Sequence, residues 1–191
     1  MLTSSGNKRP TMHQLFPTTV IGSMPRPQYV KELIERQVTG LLSHNEFQRI
    51  MDSAIPFVAQ MQEVAGVDVV SDGEWRRKSY IGIIADICSG FTSTIKEVMG
   101  QRQTWHVITE ELAPVNPGLM AREARFLKIH TNRRVKVALP SPYLLGERMW
   151  DPDLSRKAYP TRRDFTEALI PILRRELIEL KQEEVEIAQF D

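Results

Sequence analysis

Short β-branched runs alternate with long amphipathic helices along this chain, and that alternation constrains its fold more than any other feature. The runs are "TTVI" at 18–21, "VDVV" at 67–70, "RRVKVAL" at 133–139 and "VEIAQFD" at 185–191. After the first, a Pro-rich connection leads into a helix predicted over Gln28–Gln37, with Val30, Leu33 and Ile34 on its buried side. Ser43 and Glu46 then make a capping box, Ser43 as N-cap and Glu46 three residues on. Behind it Phe47, Ile50, Met51, Ala54, Val58 and Met61 recur at three- and four-residue steps, the stripe of an amphipathic helix that Pro56 should bend. Thr161 and Asp164 offer a second, less regular box before Phe165, Leu169, Ile172, Leu173, Leu177 and Leu180. A further helix is predicted from about Gly118, with Met120, Ala124 and Leu127 on one side. Between Tyr80 and Phe91 the chain is too apolar for a surface loop and reads as a buried helix. The segment after it reads as a hairpin or an excursion across one end of the domain.

A strand-to-helix-to-strand order argues for an α/β protein with a parallel sheet. Four strands suit a small open sheet or half of an eight-stranded barrel, and in both architectures ligands gather where strands end. The strand ends here are Ile21-Gly22-Ser23, Asp72-Gly73-Glu74, Pro140-Ser141-Pro142 and Asp191. Their convergence is the main functional signal that the residue pattern supplies.

Composition narrows the chemistry. The 191 residues are 41% hydrophobic and 26% charged with a formal net charge of +1, an ordinary globular balance with no global field toward nucleic acid or membrane. The single cysteine, Cys88, excludes an internal disulfide framework and a multi-thiolate metal site built from this chain alone. No apolar run approaches the roughly 20 residues that a bilayer requires. Residues 1–15 lack the apolar core of a secretory signal and read as a flexible leader to one domain over 16–191, with the cytoplasm as default location.

The same strand ends carry a resemblance. "FPTTVIGSMPRP", "DVVSDGEWRRKSY", "VKVALPSPYLLGERMWD" and "IAQFD" resemble, in order, motifs of the cobalamin-independent methionine synthase family, and more closely its short single-barrel members. The family fold is a TIM-type (β/α)8 barrel, so the resemblance implies the first half, about four βα units, of such a barrel. It also implies transfer of a methyl group from methyltetrahydrofolate to the thiol of homocysteine, with zinc activating the thiol. Zinc suits that task because the thiolate is the nucleophile and the metal lowers the thiol pKa.

Carried over position by position, the resemblance puts Ile21, Gly22 and Ser23 along the amino-acid pocket. It puts Glu74 on the substrate ammonium and Asp191 against the same substrate as the catalytic acid. Two carboxylates around an ammonium compensate its charge when it leaves water. Arg77 matches a family arginine that supports the pocket, and Trp150 corresponds to a tryptophan associated with the folate. The family's zinc ligands, a histidine, two cysteines and a glutamate, come from strands beyond the fourth, and Cys88 matches none of them. The zinc ligands are therefore expected outside this chain, in a second chain or second copy that completes the barrel. Alternatives are a related thiol alkyltransferase with another donor or acceptor, and a non-catalytic half-barrel that acts as a binding module.

Competing readings attach to single residues. Glu74 has the alternative of an exposed acid at a turn, and Asp191 that of a frayed terminus. Ser23 lacks the partners of a nucleophile. Arg76, Arg77 and Lys78 read as a solvated basic face rather than an anion site, and Arg174, Arg175, Glu176 and Glu179 as a charged outer helix face. Cys88 reads as a packed small residue. His13, His44, His106 and His130 are scattered and read as non-metal.

Overall fold

The computed structural model describes residues 16–98 and 101–191; the leader and His13 lie outside them. Elements follow as α1 (Gln28–Val38), α2 (His44–Val64), β1 (Val69–Val70), α3 (Ile83–Ile87), β2 (Cys88–Val98) and β3 (Gln101–Pro114). Then come α4 (Leu119–Lys128), β4 (Arg134–Leu139), α5 (Pro142–Met149), α6 (Arg162–Gln182) and β5 (Ile187–Phe190). Thr19 bridges Val69 in parallel, β1 pairs in parallel with β4, and β4 with β5. The four runs therefore lie side by side in chain order, each reached by a crossover. That is the arrangement of four successive βα units of a barrel.

Strand alternation assigns the two faces of this sheet. Val70 and Val135 pack with α1, α2 and Leu127 of α4, around Val30, Phe47, Met51, Ile55 and Val58. Val137 and Leu139 pack with α3, α4, α5 and α6, around Ile84, Met120, Leu145, Phe165 and Leu169. The residues between them, Lys136 and Ala138, face the other way, toward the concave side. Each fully buried aliphatic side chain in these two layers stabilises by about 1.5–3 kcal/mol. Among the described residues β5 pairs on one side only, and Phe190 on its helix-facing side is 41% exposed. No described helix is long and apolar enough to cross a membrane.

Several expectations change. The first strand is reduced to the bridge at Thr19, and "VDVV" to two residues, because both hand over early to the turns that build the strand ends. The apolar stretch 80–91 is a five-residue helix that passes at Cys88 into a long antiparallel hairpin, β2 against β3. Its apolar residues serve two elements, which no single period describes. Helix α5 follows β4 at once: Ser141 accepts from the Leu144 N–H and Pro142 occupies the first turn, where no donor is needed. Of the capping boxes, Ser43 accepts from Glu46 N–H at 3.3 Å, while the less regular Thr161–Asp164 box closes in both directions. Asp164 Oδ2 accepts from Thr161 N–H at 2.9 Å.

The charged outer face of α6 is corrected at one position, for Arg174 and Arg175 are exposed but Glu176 is not. Glu176 is buried, and its two oxygens accept from the backbone N–H groups of Gly118 (2.6 Å) and Met120 (3.1 Å). Helix α4 starts at left-handed Gly118 with no side-chain cap of its own, so a residue 56 positions later caps it. Burial pushes the Glu176 carboxyl up, and the two N–H donors oppose that shift. Glu176→Ala should leave two buried donors unpaired and cost about 2–4 kcal/mol in urea unfolding. Thr161→Ala, which removes only an exposed cap, should cost about 1 kcal/mol in the same measurement.

Candidate active site

The site grows from a turn that glycine alone permits. Gly73 has φ 64°, and a Cβ there would lie 2.8 Å from Val58 Cγ2 and 3.0 Å from Met24 Cβ. Glu74 follows at φ 58°, an uncommon conformation for a residue with a Cβ. Local donors hold it: Gly73 N–H to Ser71 Oγ (3.2 Å) and Glu74 N–H to Asp72 Oδ1 (2.9 Å). The result turns the Glu74 side chain inward. It is 3% exposed, and its Oε2 accepts from Ser23 Oγ at 2.7 Å. A buried acid with a defined partner replaces the solvated turn residue of the competing reading.

Asp191 approaches from the fourth strand. Its N–H donates to Leu139 O (3.3 Å), its carbonyl accepts from Ser141 N–H (2.9 Å), and its carboxylate accepts from Gln189 Nε2. Gln189 Oε1 in turn accepts from Lys136 Nζ at 2.6 Å, and the same ammonium donates to Val20 O. Burial lowers the Lys136 pKa, while the carboxylates of Asp191 and Glu74 raise it. Tyr80 donates to Leu139 O at 2.7 Å, and its pKa is driven well up by burial, then by Asp191, with Glu74 adding to the shift. Ser23 ties the first run to Glu74, and Lys136 ties the same run through Gln189 to Asp191, so the ends of the second and fourth strands are linked on the concave side. Ile21 is 81% exposed beside this rim and Gly22 is left-handed at φ 76°, so the main chain there is open to approach.

The basic run is not a solvated face. Arg76 is buried, pairs with Asp52 at 2.6 Å, donates to Gln48 and lies 4.9 Å over the Phe126 ring. Arg77 is 2% exposed and donates to Ala138 O at 2.7 Å, so it braces β4 from behind the site. Its Nε and Nη1 have no hydrogen-bond partner. Beside it a small cavity is lined by Asp72, Glu123 and Lys136. Only Lys78 of the three remains exposed. Trp150 lies on the far flank of α5, donating to Tyr159 O at 3.0 Å and lining an open groove with Tyr143, Glu147 and Arg162.

With that geometry in place, comparison with known proteins is decisive. The pattern of the family described as cobalamin-independent synthase, catalytic domain, matches residues 16–191. The chain belongs to that family. It is similar to methionine synthases from Sulfurisphaera tokodaii (27% identical over 185 residues) and Sulfolobus acidocaldarius (28% over 185). Each alignment covers 93% of this chain and about half of the relative, 52% and 51%. Among solved structures, a B12-independent methionine synthase from Shewanella sp. W3-18-1 in complex with selenomethionine superposes with a TM-score of 0.74 at 24% identity. That superposition spans 93% of this chain and 52% of the other, and it shows the fold.

For this synthase-family chain, sequence motifs point to Ile21, Gly22, Ser23, Glu74, Arg77 and Asp191, and the structure sets Ser23, Glu74 and Asp191 around shared neighbours. It sets Arg77 against the Ala138 carbonyl of β4 and Trp150 at the C-terminal end of α5. Arg26, Tyr80, Lys136 and Gln189 escape motif reading. The available signal was polar residues at 136 and 189 inside otherwise apolar strands, on the face opposite the helix contacts.

Zinc does not fit the described residues. No three His, Cys, Asp or Glu among them converge. The buried Cys88 thiol donates to Ile84 O and is pushed up to about 12 by burial and by Glu176. His44, His106 and His130 bond to Gln37, Ser93 and Phe126 O.

Glu123 provides a pH test. Burial, and then Asp72, push its carboxyl up to about 7 against the pull of Arg77 and Arg76. A folded-state pKa above the unfolded value favours folding while the acid stays protonated, and that contribution is lost as pH rises toward the folded value. Between about pH 4.5 and 7, wild-type stability should therefore fall relative to Glu123→Gln. Parallel denaturation curves across that range check it.

Proposed function

We propose that this chain supplies the amino-acid-binding half of a methyltransferase that makes methionine from homocysteine with a methyl-folate donor. The supporting observation is a chain of bonds: Ser23 of the first run holds Glu74, while Lys136 joins Val20 of that run to Gln189, which holds Asp191. A substrate ammonium beside these two carboxylates would have its charge compensated when it leaves water. Glu74, oriented by Ser23, would take that ammonium, and Asp191 would lie against the same substrate. The open main chain at Ile21-Gly22 would face its carboxylate end. Arg77 would hold β4 in place behind them, and Trp150 would meet the folate. Names of the relatives and membership of the family favour homocysteine and methyl-folate over other donors and acceptors.

In this reading zinc supplies a thiolate at neutral pH, and its ligands come from residues other than those described. The proposed partner is a second chain or copy that completes the barrel and pairs with the open side of β5. The cytoplasm, where such small metabolites are handled, is the proposed setting.

Calorimetric titration with L-homocysteine tests the assignment. Glu74→Gln keeps the shape and removes the charge, and a lost charge-assisted hydrogen bond corresponds to a roughly 10–100-fold weaker Kd. Equal affinity for wild type and variant would refute the role of Glu74.

A further inference from the structure

We propose that Arg26 is a positioning residue of this site: its guanidinium clips the Glu74 turn into its left-handed form and so sets where the carboxylate points. The proposal rests on the reading of Glu74 as the ammonium partner and assigns a role to the Pro-rich connection.

The connection reads Ser23-Met24-Pro25-Arg26-Pro27, with a proline on each side of Arg26. A proline fixes its own φ and biases the residue before it toward extended backbone. Both Met24 and Arg26 carry that bias, and Ser23, Met24 and Arg26 each bond to the turn. Met24 N–H donates to Gly73 O at 3.1 Å, and its carbonyl accepts from Trp75 Nε1 at 3.3 Å. Ser23 Oγ reaches the Glu74 carboxylate. Arg26 Nη2 donates to Glu74 O at 2.7 Å and to Arg77 O at 2.9 Å.

The last pair is the decisive one. A single nitrogen with two N–H groups spans the carbonyls on either side of the Trp75-Arg76 step, directly after the strained residue. A left-handed non-glycine costs of order 1–3 kcal/mol unless its surroundings hold it. Here the holder is a cation, and hydrogen bonds from charged donors are the stronger kind. Burial works against the charge on Arg26, and Glu74 and Asp72 work for it. Its Nε has no hydrogen-bond partner, so the geometry is set by the two carbonyls. Arg26 Nη2 bonds the Glu74 carbonyl, and its charge also acts on the carboxylate at longer range, so the hydrogen bonds reach the carboxylate through the backbone.

The test compares wild type, Arg26→Ala and Arg26→Lys by two readouts. The first is amide exchange at Glu74 through Arg77, which reports the clip without any ligand. The second is the ratio of affinities for L-homocysteine and its des-amino analogue, which reports ammonium recognition alone. Arg26→Ala should exchange faster in this turn only. It should also reduce the preference for the amino form by about tenfold, the worth of one repositioned charged hydrogen bond, while binding the analogue nearly as before. Arg26→Lys should recover part of both. Unchanged exchange in Arg26→Ala overturns the clip. Faster exchange with the preference intact, or equal loss for both ligands, overturns the positioning role. A wild type without preference overturns the reading of Glu74, and with it the site role of Arg26, while the exchange rates still decide the clip.

Discussion

A parallel strand can meet its neighbour only after a crossover, and that single topological requirement organises everything else here. Each crossover returns the chain in the same direction, so the carboxyl ends of all four runs arrive on one rim. Thr19 bridging Val69, β1 beside β4 and β4 beside β5 follow from it. Residues far apart in sequence, Ser23 and Glu74 or Lys136 and Val20, are then within bonding distance. The candidate site is a by-product of how the sheet is wired.

A few charges in this molecule work from the inside. Arg77, Arg76, Lys136 and Glu176 are all nearly withdrawn from water, and each answers backbone or side-chain groups left over by the architecture. Glu176 caps a helix that lacks its own cap. Arg77 takes the Ala138 carbonyl. Lys136 joins Val20 O to Gln189. Buried ions of this kind are costly to unpair rather than strongly stabilising as pairs. They fix one arrangement of the strand ends by making every other arrangement leave a charge unanswered.

Much of this was legible in the residues, and what was hidden has physical reasons. The long helices could be read because periodicity and N-caps are local properties: α2 and α6 carry their apolar stripes and their Ser43 and Thr161 caps openly. The strand ends could be read because Gly22, Gly73 and the Pro140-Ser141-Pro142 stretch punctuate them. Arg76, Arg77 and Glu176 were misread as solvated because their partners, Asp52, Ala138 and Gly118, lie 24, 61 and 58 positions away. Local charge pattern favours solvent, and only the assembled fold provides the acceptors. The α3-to-hairpin passage was misread for the opposite reason. Apart from Asp86 and Ser89 its residues are apolar or small, so pattern could not show where helix ends and strand begins.

Lys136 also has a mechanical meaning. It stands on β4 and bonds to Val20, on a run two strands away, as well as to Gln189 on the adjacent strand. In a flat sheet two strand spacings amount to about 10 Å, near the limit of a lysine arm and its hydrogen bond together. The bond closes more easily where the sheet curves toward the amine. Lys136 is thus a tie laid across neighbouring runs. It favours the concave bend that opens around it, and sliding one run past the others would cost a bond to a buried charge.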